Sequence, residues 1–218
     1  MPQRTRELFE PRKLPVQARS AASVDAILDA TIQVLLRVGK EQLTTTRVAF
    51  RAGVSVGTLY QYFPNKSALL QAALKRHLDE ATRVLERACR QQQGNTLREM
   101  AIALIEAFLE VKMRDPKMSA ALYSVSSDVD GVRIAQQMGT RSNRAISSML
   151  ATSSEALTKD PQLVASMLQG AMVGVIRRLL ESHAPEKELD TLRRELIFFA
   201  CAYLEACSAR TPVWSTSH

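Results

Sequence analysis

The chain has 218 residues, of which 46% are hydrophobic and 23% are charged. These proportions are those of globular proteins and exclude wholesale disorder, and the length suffices for one large core or two smaller domains. With only 8 glycines, 8 prolines and 5% aromatic residues, the composition excludes collagen-like chains and disfavours turn-rich β folds. We therefore expect an all-α protein.

The net charge of +7 is unevenly distributed along the chain. The segment up to Lys66 contains ten Lys and Arg residues and five Asp and Glu residues. The rest of the chain contains nineteen basic and seventeen acidic residues. A basic first third is typical of a segment with a nucleic-acid partner, although a solvated charged surface would have the same composition.

The sequence offers no targeting or membrane-spanning segment. Residues 1–13 are charged and lack the apolar stretch of a signal peptide, and the most apolar run, residues 196–204, is shorter than the about 20 residues that span a bilayer. The three cysteines lack metal-ligand spacing and are typical of reduced thiols. We expect a soluble cytoplasmic protein with no membrane partner, no metal and no cofactor.

Residues 1–19 form a basic arm in which three prolines disfavour a helix. The arm is either a frayed, solvated terminus or a segment laid along DNA. Helical spacing of apolar side chains then predicts a first helix from Ser23 to Gly39, with Ser20 or Ser23 as its cap.

A short second helix is predicted from Thr44 or Thr45 to Gly53, and a third helix lies between Ser55 and Pro64. Asn65 can cap a fourth helix. Small and apolar side chains at helical spacing predict the core of these helices, namely Val48, Ala49, Ala52, Val54, Leu59 and Phe63.

Five more helices complete the predicted all-α chain. A turn at residues 128–131 is expected to separate the sixth from the seventh, and Asp160-Pro161 fits a capped helix start. The predicted ranges are about 66–90 for the fourth helix, then 96–113, 117–126, 132–153, 161–182 and 186–207.

Residues 44–63, TTTRVAFRAGVSVGTLYQYF, have the pattern of a helix-turn-helix motif. The face of its second helix that is left for solvent has no acidic residue, so it can enter a major groove about 12 Å wide without repelling phosphates. We expect this face to consist of Val56, Gly57, Thr58, Gln61 and Tyr62.

A set of residues in and around the motif carries a family resemblance: Thr44-Thr45, Ala49, Ala52-Gly53-Val54-Ser55, Gly57-Thr58-Leu59-Tyr60-Gln61-Tyr62-Phe63, Pro64-Asn65-Lys66 and Leu69-Leu70. Together they resemble the DNA-binding domain of TetR-type transcriptional regulators over about residues 20–75. Phe50 departs from the polar residue usual at its position. The rest of the chain resembles that family only in its size and in being entirely helical by prediction.

The resemblance implies two sets of DNA contacts. Phosphates would be bound by Thr44, Thr45, Tyr60, Tyr62 and Lys66. Base edges would be contacted by Thr46, Val56, Gly57, Thr58 and Gln61. Several of these residues also have an alternative role without DNA contact. A threonine can act simply as a helix cap, a tyrosine can pack at the edge of the core, and a lysine or glutamine can be exposed to solvent with no partner.

Residues 76–210 are expected to form a second domain for ligand binding and dimerisation, followed by a tail at 211–218. The resemblance implies a homodimer through the eighth and ninth helices, and the alternative is an ordinary monomer core. Small and apolar residues on these helices form the candidate dimer face: Leu163, Met167, Gly170, Gly174, Leu192, Leu196, Phe199 and Tyr203.

A ligand pocket among the fifth, sixth, seventh and eighth helices is a further hypothesis. Its candidate lining is adaptable or aromatic, although such side chains are more often plain core. The candidates are Met100, Phe108, Met113, Tyr123, Met138, Met149 and Met172, together with Met118. Glu106 and Glu110 suit a cationic ligand if they face inward, and otherwise belong to a solvated face.

The sequence thus indicates a homodimeric transcriptional regulator, expected to be a repressor that a small apolar or amphipathic effector releases from a palindromic operator. One alternative is a constitutive DNA binder whose second domain only dimerises. Another is a helical protein-interaction module without DNA function. No nucleophile, paired carboxylates or phosphate loop is recognisable, so we expect no enzyme activity.

Overall fold

The computed structural model of the protein describes residues 18–126, 129–182 and 185–208. These ranges hold no β-strand, only an isolated bridge between Leu157 and Ser208, and the predicted all-α fold is confirmed. They contain nine helices: α1 (Ala18–Gln42), α2 (Thr45–Ala52), α3 (Val56–Tyr62), α4 (Lys66–Gln91), α5 (Leu97–Met113), α6 (Pro116–Ser126), α7 (Val129–Leu150), α8 (Pro161–Glu181) and α9 (Pro185–Ala206).

The described residues divide into two compact units. The first unit comprises residues up to 78 together with 117–135, and the second comprises residues 79–116 together with those from 136 onward. The sequence-based division assigns 117–135 to the second domain instead. The segment groups with the first unit because its buried Leu122, Val125 and Ile134 share one hydrophobic cluster with α1 to α4.

Helix α1 begins at Ala18, inside the predicted basic arm and ahead of the predicted start at Ser23. A tertiary contact explains the extra turn, because the hydroxyl of Ser20 lies 3.0 Å from that of Tyr62. The regular helix breaks at Gly39, as predicted, since this residue adopts a φ of 75° that favours glycine. The other residues of the predicted arm, 1–17, and the predicted tail lie outside the described ranges.

The turn predicted at 128–131 is wrong over its last three residues, because α7 begins at Val129. Gly131 serves close packing rather than a turn: a Cβ atom there would lie 2.5 Å from the carbonyl oxygen of Val125. Asp130 in the first turn is held by Gln71, whose amide nitrogen donates to the carboxylate at 3.1 Å. Asp128 lies outside the described residues.

In the second unit α5 packs against α8 and α9. A capping box starts α5, in which Thr96 and Glu99 exchange hydrogen bonds between side chain and backbone. The bonds from Thr96 hold the pKa of the Glu99 carboxyl below its usual range. Helix α7 ends at Leu150 rather than at the predicted Ser153, because the hydroxyl of Thr152 bonds the carbonyl of Met149 at 2.7 Å and closes a turn.

Within the second unit, Arg141 on α7 joins two carboxylates of α4. Its guanidinium lies 2.5 Å from Glu86 and 2.5 Å from Asp79. The hydrogen bonds that Arg141 donates to Glu86, and then those to Asp79, raise the pKa of the guanidinium. These charge-assisted bonds fix how the two helices lie against each other there.

Helix α8 is the one described helix that is long and apolar enough to cross a membrane by length and composition alone. A core helix of a helical bundle passes the same test, and α8 contacts α5 and α9. Its buried side, which includes Val164, Leu168 and Ile176, therefore has packing partners within the unit, whereas Leu163 and Met167 on its other side are exposed.

Gly131→Ala tests the close approach at the start of α7. The added methyl group would also lie 2.8 Å from Cα of Ser126, so the backbone must shift, and we expect a loss of about 1–3 kcal/mol in the free energy of unfolding. Gly139→Ala on the same helix is the matched control, because its methyl would meet only the amide nitrogen of Gln169 at 3.6 Å. Urea unfolding followed by circular dichroism measures both. Equal stabilities of the two variants would contradict this packing.

Candidate nucleic-acid interface

Helices α2 and α3 form a tight pair whose geometry follows from a few residues. Thr44 caps α2 by accepting a hydrogen bond from the backbone nitrogen of Arg47, and Ser55 caps α3 in the same way from Thr58. Between them Gly53 takes a left-handed conformation with a φ of 68°, which turns the chain back without a Cβ penalty. The helices close over a shared core of Val48, Ala49, Leu59 and Phe63, all buried.

The pair brings two of the predicted phosphate contacts together. The hydroxyl of Thr45 on α2 lies 3.1 Å from the phenol oxygen of Tyr60 on α3, and both groups face solvent. This hydroxyl pair lies beside the N-terminus of α2, where backbone N–H groups and the helix dipole favour an anion. Thr44 is exposed next to it.

Tyr62 lies apart from this pair. Its ring is half-buried against the core of the first unit, and its hydroxyl is hydrogen-bonded to Ser20 on α1. A phenol can donate to one group and accept from another. Tyr62 therefore links α1 to α3 while keeping one hydrogen-bonding position for an outside partner.

Lys66, the remaining predicted phosphate contact, donates from Nζ to the carbonyl oxygen of Glu41 at 3.1 Å. This contact holds the ammonium at the junction of α1 and α4. An ammonium has three donors, so two remain for an anion.

The five predicted base contacts differ in what they offer. Thr46, Gly57 and Gln61 are exposed, and Gln61 makes no hydrogen bond to another described residue. Val56 is half-buried and packs on the core. The hydroxyl of Thr58 lies 2.8 Å from that of Ser55, which leaves the methyl group of Thr58 as its outward part.

Three exposed residues on α2 lie outside the predicted DNA contacts, and of these only Phe50 stood out in the sequence, as a departure from the family pattern. Arg47 donates to the carbonyl of Gln42 at 2.8 Å, Arg51 has no partner among the described residues, and the Phe50 ring is 88% exposed. Arg47 and Arg51 are visible in the sequence as basic residues of the second helix, but the family resemblance assigned them no DNA contact. Neither α2 nor α3 carries an acidic residue, so this surface does not repel phosphates.

In the second unit an apolar groove of about 690 Å³ runs along α8 and α9. Phe198 is 70% exposed beside it, and Phe199 stacks on Tyr203 with ring centroids 6.2 Å apart. Of the predicted dimer face, Leu196 is buried within its own unit, where it also lines this groove. The remaining predicted residues there are exposed or half-buried: Leu163, Met167, Gly170, Gly174, Leu192, Phe199 and Tyr203.

The candidate pocket residues are mostly core. Four are buried in the second unit, namely Met100, Phe108, Met149 and Met172. Met113 and Met138 are half-buried there, whereas Tyr123 and Met118 belong to the first unit. Glu106 lies 3.6 Å from Arg193, and Glu110 is exposed. Both carboxylates therefore fit a solvated helix face better than an inward-facing site for a cationic ligand.

Two buried titratable groups of the second unit are shifted by desolvation. Burial raises the pKa of the Cys89 thiol to about 12, which keeps it protonated and unreactive. Burial lowers the pKa of Lys112 on α5 from 10.5 to about 8. Sequence reasoning missed Lys112, because its helical position resembles any exposed lysine.

Two family models match the chain. One is described as bacterial regulatory proteins, tetR family, and matches residues 27–73. The other is described as a tetracyclin repressor-like C-terminal domain and matches residues 96–204, half of the chain.

Among curated proteins, the HTH-type transcriptional repressor KstR of Rhodococcus jostii is 38% identical over 96 residues, which cover 44% of this chain and 43% of KstR. The match thus spans less than half the length of this relative. The solved SmeT–triclosan complex, whose protein is the repressor of the Stenotrophomonas maltophilia multidrug efflux pump SmeDEF, has a TM-score of 0.67 at 22% identity and covers 87% of this chain and 93% of that one.

A TetR-family transcriptional regulator from Streptomyces coelicolor has a TM-score of 0.65 at 20% identity, covering 85% of this chain and 97% of that one. At such identities the two solved structures show a shared fold.

Lys112→Met tests the buried cation. Below pH 8 this lysine is protonated in both folded and unfolded chains, so the folded state carries the net cost of burying the charge. As the pH rises from 8 to 10.5 the folded chain holds the neutral amine and the cost disappears. We expect the variant to gain on the order of 2 kcal/mol in unfolding free energy at pH 7, and less at pH 10.

Urea unfolding at the two pH values measures the gain. Lys187→Met, at an exposed position of the same unit, is the matched control and should change stability little at either pH. A gain for Lys112→Met of equal size at both pH values would contradict the assignment.

Proposed function

Since the chain belongs to the TetR family of bacterial regulatory proteins, we propose that it is a homodimeric, DNA-binding transcriptional repressor that a small molecule releases from its operator. The observation that carries the proposal is the acid-free surface of α2 and α3, with the Thr45–Tyr60 hydroxyl pair beside the N-terminus of α2. The relatives agree in kind, since KstR is named a transcriptional repressor.

In this proposal α3 enters the major groove of DNA, and the residues around its exposed face bind the DNA backbone. Gln61 reads a base edge through its amide, Gly57 lets the helix approach the bases closely, and the methyl group of Thr58 contacts a thymine methyl. Thr46 and Val56 contact bases at the edge of the surface that α3 presents to the groove. Around it, phosphates are bound by Thr44, Thr45, Tyr60, Tyr62 and Lys66.

Two copies of this module are needed for tight binding. One module of this size buries about 600–1,000 Å² on DNA, whereas two modules related by a two-fold axis contact half-sites about 34–36 Å apart. We assign the dimer contact to α8 and α9, whose groove and exposed Phe198 give an apolar face. Such a face has no partner within its own unit and is typical of a helical interface.

The second unit would also bind the effector, which we propose to be a small apolar or amphipathic molecule. Ligand binding would favour a conformer whose recognition helices no longer match two adjacent major grooves. By linkage, DNA must weaken ligand affinity by the same factor as ligand weakens DNA affinity. The proposal places the protein in the cytoplasm, with operator DNA, and assigns it no enzyme activity.

Lys66→Ala and Gln61→Ala separate backbone binding from base readout. Loss of the ammonium should weaken binding to all duplexes alike, and should reduce the slope of log affinity against log salt by about 0.9. Loss of the amide should relax preference at one base pair per half-site and leave that slope unchanged. Fluorescence anisotropy on footprinted duplexes at several salt concentrations measures both.

If the wild-type chain shows no steep salt dependence, the helical interaction module becomes the better description. If the two variants lose the same amount of affinity for every DNA duplex tested, the assignment of Gln61 to the major groove is wrong.

Phe198→Asp tests the dimer contact. The side chain is 70% exposed, so the charge should not disturb folding but should prevent a second copy from packing. We expect the wild type to sediment as a dimer and the variant as a monomer, with affinity for a two-half-site duplex reduced to that of one module. Leu36→Asp, at a 42% exposed position on α1, is the control and should remain dimeric. A dimeric Phe198→Asp variant would place the contact elsewhere.

A further inference from the structure

The outward side of α2 carries a feature that the proposed contacts do not use. We define the outer face of α2 as Thr46, Arg47, Phe50 and Arg51, all exposed and opposite the buried Val48 and Ala49. Among the large apolar side chains of the described ranges Phe50 is the most exposed, at 88%. A phenyl ring left in water contributes nothing to folding and is available to an outside partner. Single exposed apolar side chains are common, so the charge and position of its neighbours must indicate the partner.

Charge indicates what kind of partner this is. Arg47 and Arg51 lie one turn apart with Phe50 beside them on the same face, and α2 has no acidic residue. The guanidinium of Arg47 uses one nitrogen to bond Gln42, and Arg51 has no partner among the described residues. An apolar ring beside two guanidinium groups suits a polyanion that also presents apolar surface, as the sugar–phosphate backbone does.

Position makes the outer face continuous with the proposed DNA surface. Phe50 lies one helical turn after Thr46, on the same side of α2. Side chains on a helix lean toward its N-terminus, so the phenyl ring covers the turn that holds Thr46 rather than the turn after it. That turn begins at the capped end of α2, beside the Thr45–Tyr60 hydroxyl pair.

We propose that the outer face of α2 binds the DNA backbone next to the groove that α3 occupies. The phenyl ring of Phe50 packs against deoxyribose, and Arg51 binds the adjoining phosphate. These contacts extend the footprint of each module without adding sequence readout. The inference rests on the proposed DNA-binding function and adds a contact that the family resemblance does not supply.

Phe50→Ala and Arg51→Ala test this contact in the full-length protein. On a duplex with natural flanks, Phe50→Ala should raise the dissociation constant about tenfold, the scale of one buried aromatic contact, at an unchanged salt slope. Arg51→Ala should also weaken binding and reduce that slope by about 0.9. Leu36→Ala, another exposed apolar residue of the first unit, is the control and should bind as the wild type does.

Hydroxyl-radical footprinting locates the contact, because it reports the exposure of individual deoxyriboses. Wild type should protect flanking sugars that Phe50→Ala leaves open, while protection opposite α3 remains in both. Thermal unfolding of Phe50→Ala should match wild type, as expected for an 88% exposed ring.

Equal affinity and equal footprints of wild type and Phe50→Ala would overturn the inference while leaving the proposed function intact. A change confined to the number of dimers bound per duplex would also overturn it, since Phe50 would then contact a second copy. If the wild type binds no duplex, the proposed function and this inference fail together.

Discussion

The close approach of α2 and α3 is the constraint on which the first unit depends. Gly53 in its left-handed conformation sets the direction of the chain, and the small Ala49 lets the helices meet. Once Leu59 and Phe63 are buried by this contact, the other sides of α3 have to face outward. A single packing requirement therefore determines which residues can meet a partner.

The sequence predicted well whatever depends on local chemistry. Caps at Thr44, Ser55 and Asp160 appear as expected, and so does the left-handed Gly53. What it missed depends on tertiary contacts. A hydroxyl contact across the unit stabilises the early start of α1, and a glycine at the start of α7 proves to be a packing residue, although glycine in a sequence ordinarily indicates a turn.

The same distinction applies to the candidate interfaces. Helical periodicity identifies apolar positions but does not tell which of them turn inward: Leu196 of the predicted dimer face is buried in its own unit, whereas Phe198 is exposed. Methionines chosen for their adaptability fill the core of the second unit. On α2 and α3, by contrast, the outward positions follow from a short turn with few alternatives. Thr45 and Tyr60 were each predicted as phosphate contacts, but their contact with each other was not predicted.

The contact between Thr45 and Tyr60 has an entropic consequence for recognition. The phenol is already restrained by its neighbour in the free protein, so little rotational freedom remains to be lost when an anion arrives. Gln61 lacks any such restraint among the described residues. Under the proposed function, the surface combines rigid groups suited to a uniform DNA backbone with one adaptable side chain, so a substitution of Gln61 would change base preference while general affinity for a duplex is retained.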